Sequence, residues 1–305
     1  MVVMVAVRTA MASGSGDLPD TSAVNPGNLP LTETRLGVQN VVSLLQKSQV
    51  AHAADENCWY RSPSVFSEYT YTSSEDRRSG GFDSDMNSGT VGLNFLTTCD
   101  VAMSLMATYG WGTADTAGVG PANLSRNLGL TASAAKNIDW FLFGTSLSYN
   151  DSDSRTHTPR GSTPKSFTDG VTIAPFIGAM YASGNFSFSS VPTYMFNLNW
   201  VDFDSTISSA TDHVRQDTFV LMNTANYNVT EQFTVSLVGN WNRVTHVKRD
   251  LAAAPAVADR EWVTVGPKVT YRISPETSVY ASCSRDVFTS TYDTMQAVVG
   301  MNCSF

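Results

Sequence analysis

No stretch of this chain approaches the ~18 consecutive apolar residues of a membrane-spanning helix, which excludes a helical membrane span. Charge is scarce too: Asp, Glu, Lys and Arg make up 15% of the residues, against about 25% in soluble domains. There is no basic stripe, since 19 Lys and Arg face 27 Asp and Glu for a net charge of −8. A surface that cannot displace counterions from phosphates excludes nucleic acid as a partner. Metal-ligand spacings, phosphate-cradling glycine loops and nucleophile elbows are missing, so no catalytic, cofactor or metal residue is expected. The histidines number four; His52, His157, His213 and His246 fall mostly in or near polar connections, where a solvated ring is the ordinary reading. A lipid hydrolase would need His and Ser paired near an apolar face. On a regular strand His246 shares its face with Asn242 and Val244, so that alternative is weak and the chain is not expected to be an enzyme.

What the chain has instead is alternation. At its end Met295, Ala297, Val299, Met301, Cys303 and Phe305 alternate with Gln296, Val298, Gly300, Asn302 and Ser304. Strand side chains switch faces at every residue, so one face is greasy and the other mostly small or polar. The same rule holds in Val101–Trp111, in Phe141–Tyr149, in Val171–Tyr181 and in Phe233–Trp241. From Asn57 onward the chain divides into twelve such segments. Short turns at Thr97–Asp100, Lys136–Asp139, Ser183–Asn185, Asn228–Glu231 and Ser274–Glu276 follow even-numbered segments, and longer polar connections mostly follow odd ones. Aromatic residues gather at both ends: Tyr71, Tyr109, Trp111, Tyr149, Trp200 and Trp241 toward the loops, and Tyr181, Tyr227, Tyr271 and Phe305 toward the turns. Short turns on one side, long loops on the other and two aromatic girdles suit a transmembrane β-barrel, with lipid outside and water inside. A soluble sandwich is disfavoured because its strands usually run nearer 5–6 residues. Pro63, Pro175, Pro192 and Pro267 count against their strands unless bulges accommodate them, as each removes a ladder donor.

Residues 1–31 read as a polar, Gly/Ser/Pro-rich linker after an apolar start; Met1–Ala12 is broken by Arg8 and makes a poor signal peptide. Residues 32–55 read as an amphipathic helix, capped by Thr32 or Thr34, with Leu36, Val38, Val41, Val42, Leu44 and Leu45 on one stripe. It either covers an apolar surface or sits in the lumen as a plug or tether. Residues 56–305 form the barrel. The fold class is therefore all-β, a 12-stranded antiparallel transmembrane barrel preceded by one helix.

Glu68, Asn94, Asn197, Asn199, Asn240, Lys268 and Arg272 fall on the inward face and are candidates for a conducting or helix-holding lumen, or simply for a hydrated interior. Four cysteines allow three pairings; the candidate bridges are Cys58 with Cys99 at the turn-side rim, and Cys283 with Cys303 on neighbouring last strands if stagger aligns them. Free thiols are the alternative.

The stretch Ser88–Trp111, SGTVGLNFLTTCDVAMSLMATYGW, resembles the second hairpin of the autotransporter β-domain, and the closing VVGMNCSF resembles that family's C-terminal strand. The resemblance covers Asn57–Phe305, with the preceding helix matching the family's lumen helix. It implies an outer-membrane translocator or anchor that displays an N-terminal passenger at the cell surface. It further implies Phe305 as a signal read by the barrel-insertion machinery, outer-membrane lipids as the surroundings, and both termini periplasmic unless the N-terminal segment threads outward through the lumen. The tandem asparagines at which some members cleave themselves have no counterpart here, since Asn40 stands alone. The passenger is unidentified, because about thirty residues precede the helix. The alternative reading is a porin-like channel or stand-alone structural outer-membrane protein.

Overall fold

A computed structural model describes residues 29–48, 60–76, 82–97, 99–116, 123–156, 165–204, 209–250, 261–288 and 292–305. One helix, α1 (Leu29–Ser48), precedes the strands β1 (Tyr60–Asp76), β2 (Phe82–Thr97), β3 (Val101–Thr116) and β4 (Asn123–Ile138). Then come β5 (Phe141–Thr156), β6 (Lys165–Ser183), β7 (Phe186–Asp204) and β8 (Ser209–Asn228). The last four are β9 (Phe233–Arg249), β10 (Glu261–Arg272), β11 (Thr277–Val287) and β12 (Tyr292–Ser304). Each strand pairs antiparallel with its chain neighbours, and β1 pairs with β12, so the sheet closes into a barrel. The closing seam is continuous from Ser64 opposite Ser304 to Asp76 opposite Tyr292. At its foot the Phe305 N–H donates to the Pro63 carbonyl at 3.0 Å, and the Ser304 N–H donates to the Glu276 carbonyl at 2.7 Å.

Alternation sorts the residues. Leu128, Leu130, Leu147, Ile173, Ile177 and Leu237 are exposed on the outer face. Their strand neighbours Asn127, Thr131, Ser133, Ser146, Ser148 and Thr172 are buried on the inner one. Hydroxyls link adjacent strands inside, as between Ser133 and Ser146 at 2.8 Å and between Thr90 and Thr108 at 2.9 Å. The turn-side girdle stands out on the outer surface at Tyr181, Tyr227, Tyr271 and Phe305. Trp140, in the β4–β5 turn, adds a ring that strand alternation does not reveal. Three short turns use the left-handed region that Gly and Asp tolerate best, at Asp100 (φ 59°), Asp139 (φ 55°) and Gly184 (φ 54°).

The strands run further than their apolar pattern. β5 continues through Thr156, and β8 starts at Ser209, into stretches that read as loop. Asn150–Arg155 pair with Gly170–Lys165, and Trp200–Asp204 pair with His213–Ser209. Beyond the lipid both faces meet water, so the alternation fades while the ladder bonds persist. The helix also differs: it spans Leu29–Ser48, with Pro30 in the first turn, where the missing N–H has no intrahelical partner in any case. Thr32 and Thr34 therefore lie inside the helix and do not cap it.

All four suspect prolines stand in strands, and each is accommodated at one seam. β1 shifts register against β2 between Arg61 and Ser64, around Pro63. Pro175 and Pro192 disturb the same seam from both sides: between Ile173–Phe196 and Ala179–Ser190, β6 and β7 pair only at Phe176–Thr193. The flanking ladders run unbroken through Thr145–Pro175 and Pro192–Leu221. Pro267 pairs with Leu237 of β9, while the β10–β11 ladder skips from Val265–Arg285 to Lys268–Ser282.

Inward-facing glycines make room for rings. A Cβ on Gly92, Gly144 or Gly300 would lie 2.3 Å from Phe66, Phe176 or Tyr280, respectively. These rings lie flat over strand positions that have no side chain of their own. The outer face, by contrast, has to satisfy only lipid. Leu130→Arg, at mid-height on the outer wall, should cost about 2–4 kcal/mol, and Thr113→Arg, near the loop end of that face, at most about 1. Equilibrium guanidinium titration of the protein folded into phospholipid vesicles measures both.

Candidate functional site

The lumen is the site to consider, and α1 occupies it. Glu33, Thr34, Gly37, Val38, Val41, Val42, Leu44 and Leu45 are all buried, a stripe recurring at one and four residues as helix geometry requires. The contacts proceed down the wall. Glu33 is level with the loop half of β4: Asn127 donates to its carboxylate at 3.3 Å, and a Cβ on Gly129 would lie 2.2 Å from that carboxylate. At the next residue, the Thr34 and Ser148 hydroxyls are 3.0 Å apart. Below them a Cβ on Gly37 would meet the Ser133 hydroxyl at 2.4 Å, so the helix backbone lies directly on the wall. Because β4 runs from loop end to turn end, α1 descends from its N-terminus near the loops to its C-terminus near the turns.

Past Gly37 the filling is apolar. Val38, Val41, Val42, Leu44 and Leu45 join Leu96, Leu142, Phe176, Met180, Val191, Met195, Val220, Met222, Val244 and Trp262 in one buried cluster. Inward Val, Met and Trp on β7–β10 break the polar-inside rule and complete this cluster, while the helix backbone lies against β2–β6. Opposite, the Arg35 guanidinium reaches across the lumen and donates to the Asn242 side-chain carbonyl on β9. Asn242 is fully buried and donates onward to the Trp262 carbonyl at 3.4 Å. Asp286 on β11, which accepts a hydrogen bond from Thr264 at 2.5 Å, supplies opposite charge to Arg35. Burying a guanidinium is costly unless it is bonded and offset; Asn242 and Asp286 meet part of that cost, and the buried Arg35 Nε has no hydrogen-bond partner.

The sequence candidates fall at different levels of this interior. Asn197 accepts from Thr172 at 2.7 Å and donates to the Gln216 carbonyl at 2.8 Å. Asn199 fills the space over Gly170, where a Cβ would lie 2.3 Å from its oxygen. Asn94 and Asn240 are buried, and the side-chain oxygen of each has no protein partner. Glu68 accepts from Tyr280 at 2.8 Å and from Thr70 at 3.3 Å, while the Lys268 ammonium sits 4.1 Å above the Tyr280 ring. Arg272 is exposed at the turn end of β10. Glu33, Arg35, Asn242, Tyr280 and Asp286 were not singled out from sequence. The signal for the helix pair was present, a Glu and an Arg flanking the start of an apolar stripe, but their partners depend on strand register.

Two sequence readings are corrected. Cys283 lies opposite Ala297 and Cys303 opposite Thr277, six residues further along β11. At about 3.3 Å per residue this puts them near 20 Å apart, far beyond disulfide reach. Cys99, Cys283 and Cys303 are free, and Cys58 lies outside the described residues. His246 does not share a face with Asn242 and Val244. Asp217 pairs with His246 but Thr218 with Val244, so Thr245 is an extra residue that reverses the alternation. Val244 is buried and His246 exposed.

Comparisons with known proteins follow this architecture. The family described as "Putative MetA-pathway of phenol degradation" matches residues 156–298, just under half of the chain. No curated protein matches it. Among solved structures, the translocator domain of the autotransporter NalP from Neisseria meningitidis superposes with TM-score 0.64 at 10% identity, covering 90% of this chain and 98% of that one. The transport unit of AIDA-I from Escherichia coli gives TM-score 0.55 at 15% identity, covering 88% and 98%. The COG4313 outer membrane channel from Pseudomonas putida F1 gives 0.53 at 11% identity, covering 83% and 100%. At these identities the likeness is one of fold: a barrel of outer-membrane type. These neighbours are translocators and a channel, not enzymes.

Because Gly37 lies against the wall, Gly37→Leu should unseat α1 without opening the barrel. Arg35 should then become a trypsin site, read by mass spectrometry of protein in detergent micelles, while heat-modifiable gel mobility stays native.

Proposed function

We propose that the chain is an outer-membrane translocator or anchor of autotransporter type, in which α1 tethers an N-terminal passenger at the cell surface. The observation that carries this reading is the direction of α1. Descent along β4 from Glu33 beside Asn127 to Gly37 beside Ser133 puts the start of the helix near the loops and its end on the side where β1 begins. A segment N-terminal to α1 thus begins at the loop end, which faces outward in a barrel with short periplasmic turns. Phe305, exposed at the end of β12, is the residue offered to the insertion machinery, and the apolar outer band is matched to outer-membrane lipid.

A second reading has support of its own. The family match covers β6–β11, where Met180, Val191, Met195, Val220, Met222 and Trp262 make part of the inner wall apolar. With α1 removed, that sector would suit an apolar solute, as in a channel.

An epitope placed ahead of Leu29, behind an export signal, separates the two. Surface display predicts antibody and proteinase access on intact cells; access only after outer-membrane permeabilisation overturns it. The channel reading predicts faster uptake of a radiolabelled monoaromatic hydrocarbon by cells making the barrel than by cells without it.

A further inference from the structure

The helix fills one side of the barrel only. It lies against β2–β6 and reaches β9 through Arg35. On β3–β8 the inward side chains are buried, as at Ser104, Thr131, Ser146, Thr172, Thr193 and Thr218. Along β11 and β12, and at Lys268 and Glu68 on the strands either side, inward residues stay half-buried at successive levels: Asn302 near the turns, then Tyr280 with Glu68, then Lys268, then Gln296, then Asp286 toward the loops. Water-sized space therefore touches this sector at several levels, bordered by polar and charged groups.

The space is shaped at mid-height by three strands. Glu68, Gly300 and Tyr280 stand side by side on β1, β12 and β11. The glycine lets the Tyr280 ring lie flat along the wall and reach Glu68, as a Cβ there would fall 2.4 Å from the phenol oxygen. Lys268, one level toward the loops, stacks its ammonium on the inner face of that ring. The ring thus stays out of the passage and the ammonium stands over it.

We propose that a narrow aqueous conduit for small hydrated ions runs between α1 and the β10–β12–β1 wall, and that Lys268 stacked on Tyr280 is the charged step ions pass. The inference rests on the position of α1 in the lumen and not on surface display, so either can fail without the other. Selectivity in such a passage follows the charges at its narrow level. The helix-bearing protein reconstituted in planar bilayers should carry a small ohmic current in KCl. Lys268→Gln should raise the cation-to-anion permeability ratio, and Lys268→Glu should raise it several-fold. Gly300→Leu, which pushes the ring inward, should reduce the current. No current above the lipid baseline from the helix-bearing protein, or an unchanged permeability ratio in folded Lys268→Glu, overturns the proposal. If the charge variants fail to fold, Ser282→Cys in a background with the four natural cysteines changed to serine decides. Modification by a small water-soluble thiol reagent supports the conduit, and protection overturns it.

Discussion

Closure of the backbone ladder governs the rest of this structure. In hydrocarbon each unpaired N–H or C=O costs several kcal/mol, so a sheet surrounded by lipid can have no edge. The chain meets this at the β1–β12 seam, which pairs continuously from Ser64–Ser304 to Asp76–Tyr292 and is finished by the Phe305 N–H on the Pro63 carbonyl. Prolines are tolerated only because each deficit is confined to one seam: Pro175 and Pro192 share the β6–β7 gap, so the ladders on either side remain whole. Two separate gaps would have weakened twice as much wall.

Closure creates an interior, and the interior must then be satisfied. A small barrel can fill it with its own side chains; a larger one leaves a channel. This chain does some of each. On β2–β6 small residues and Gly37 let a helix lie directly on the wall, and the inner wall from β6 to β10 carries apolar side chains that join the helix stripe in one buried cluster. Buried polar groups such as Ser133 and Ser146 find each other across strands. On β11 and β12 the inward residues stay half-buried and mostly polar. The asymmetry follows from helix diameter, since one helix cannot touch every strand of a wide cylinder.

Much of this was legible in the sequence because it is local. Alternation in Val101–Trp111, the turns at Thr97–Asp100 and Ser183–Asn185, and the number of strands all follow from a period of two and from turn chemistry. What was not legible depends on partners distant in the chain. The single extra residue Thr245 moved His246 off the face assigned to it, and nothing in its immediate neighbourhood marks the bulge. The height of Cys283 relative to Cys303 is a matter of register, not of strand adjacency. Strand ends such as Asp151–Thr156 were hidden because, outside the lipid, a paired backbone no longer needs an alternating face. The Arg35–Asn242 bond joins residues 207 apart in the chain, and only the closed cylinder brings its ends together.

The two functional readings compete for the same surface. Met195, Val220, Met222 and Trp262 form one buried cluster with Val38, Val41 and Leu45, so an apolar solute and α1 cannot both occupy that sector. A solute that binds only the emptied barrel shifts the helix outward by no more than its own preference for that state, and it works against the apolar burial together with the Glu33, Thr34 and Arg35 contacts. An apolar stripe on the helix that matches an apolar sector of the wall is the composition expected of a built-in occupant. A wall meant chiefly for a passing solute would have no need of Gly37 against Ser133 or of a glycine beneath Glu33. That complementarity, more than the barrel itself, is what favours a tether over a channel.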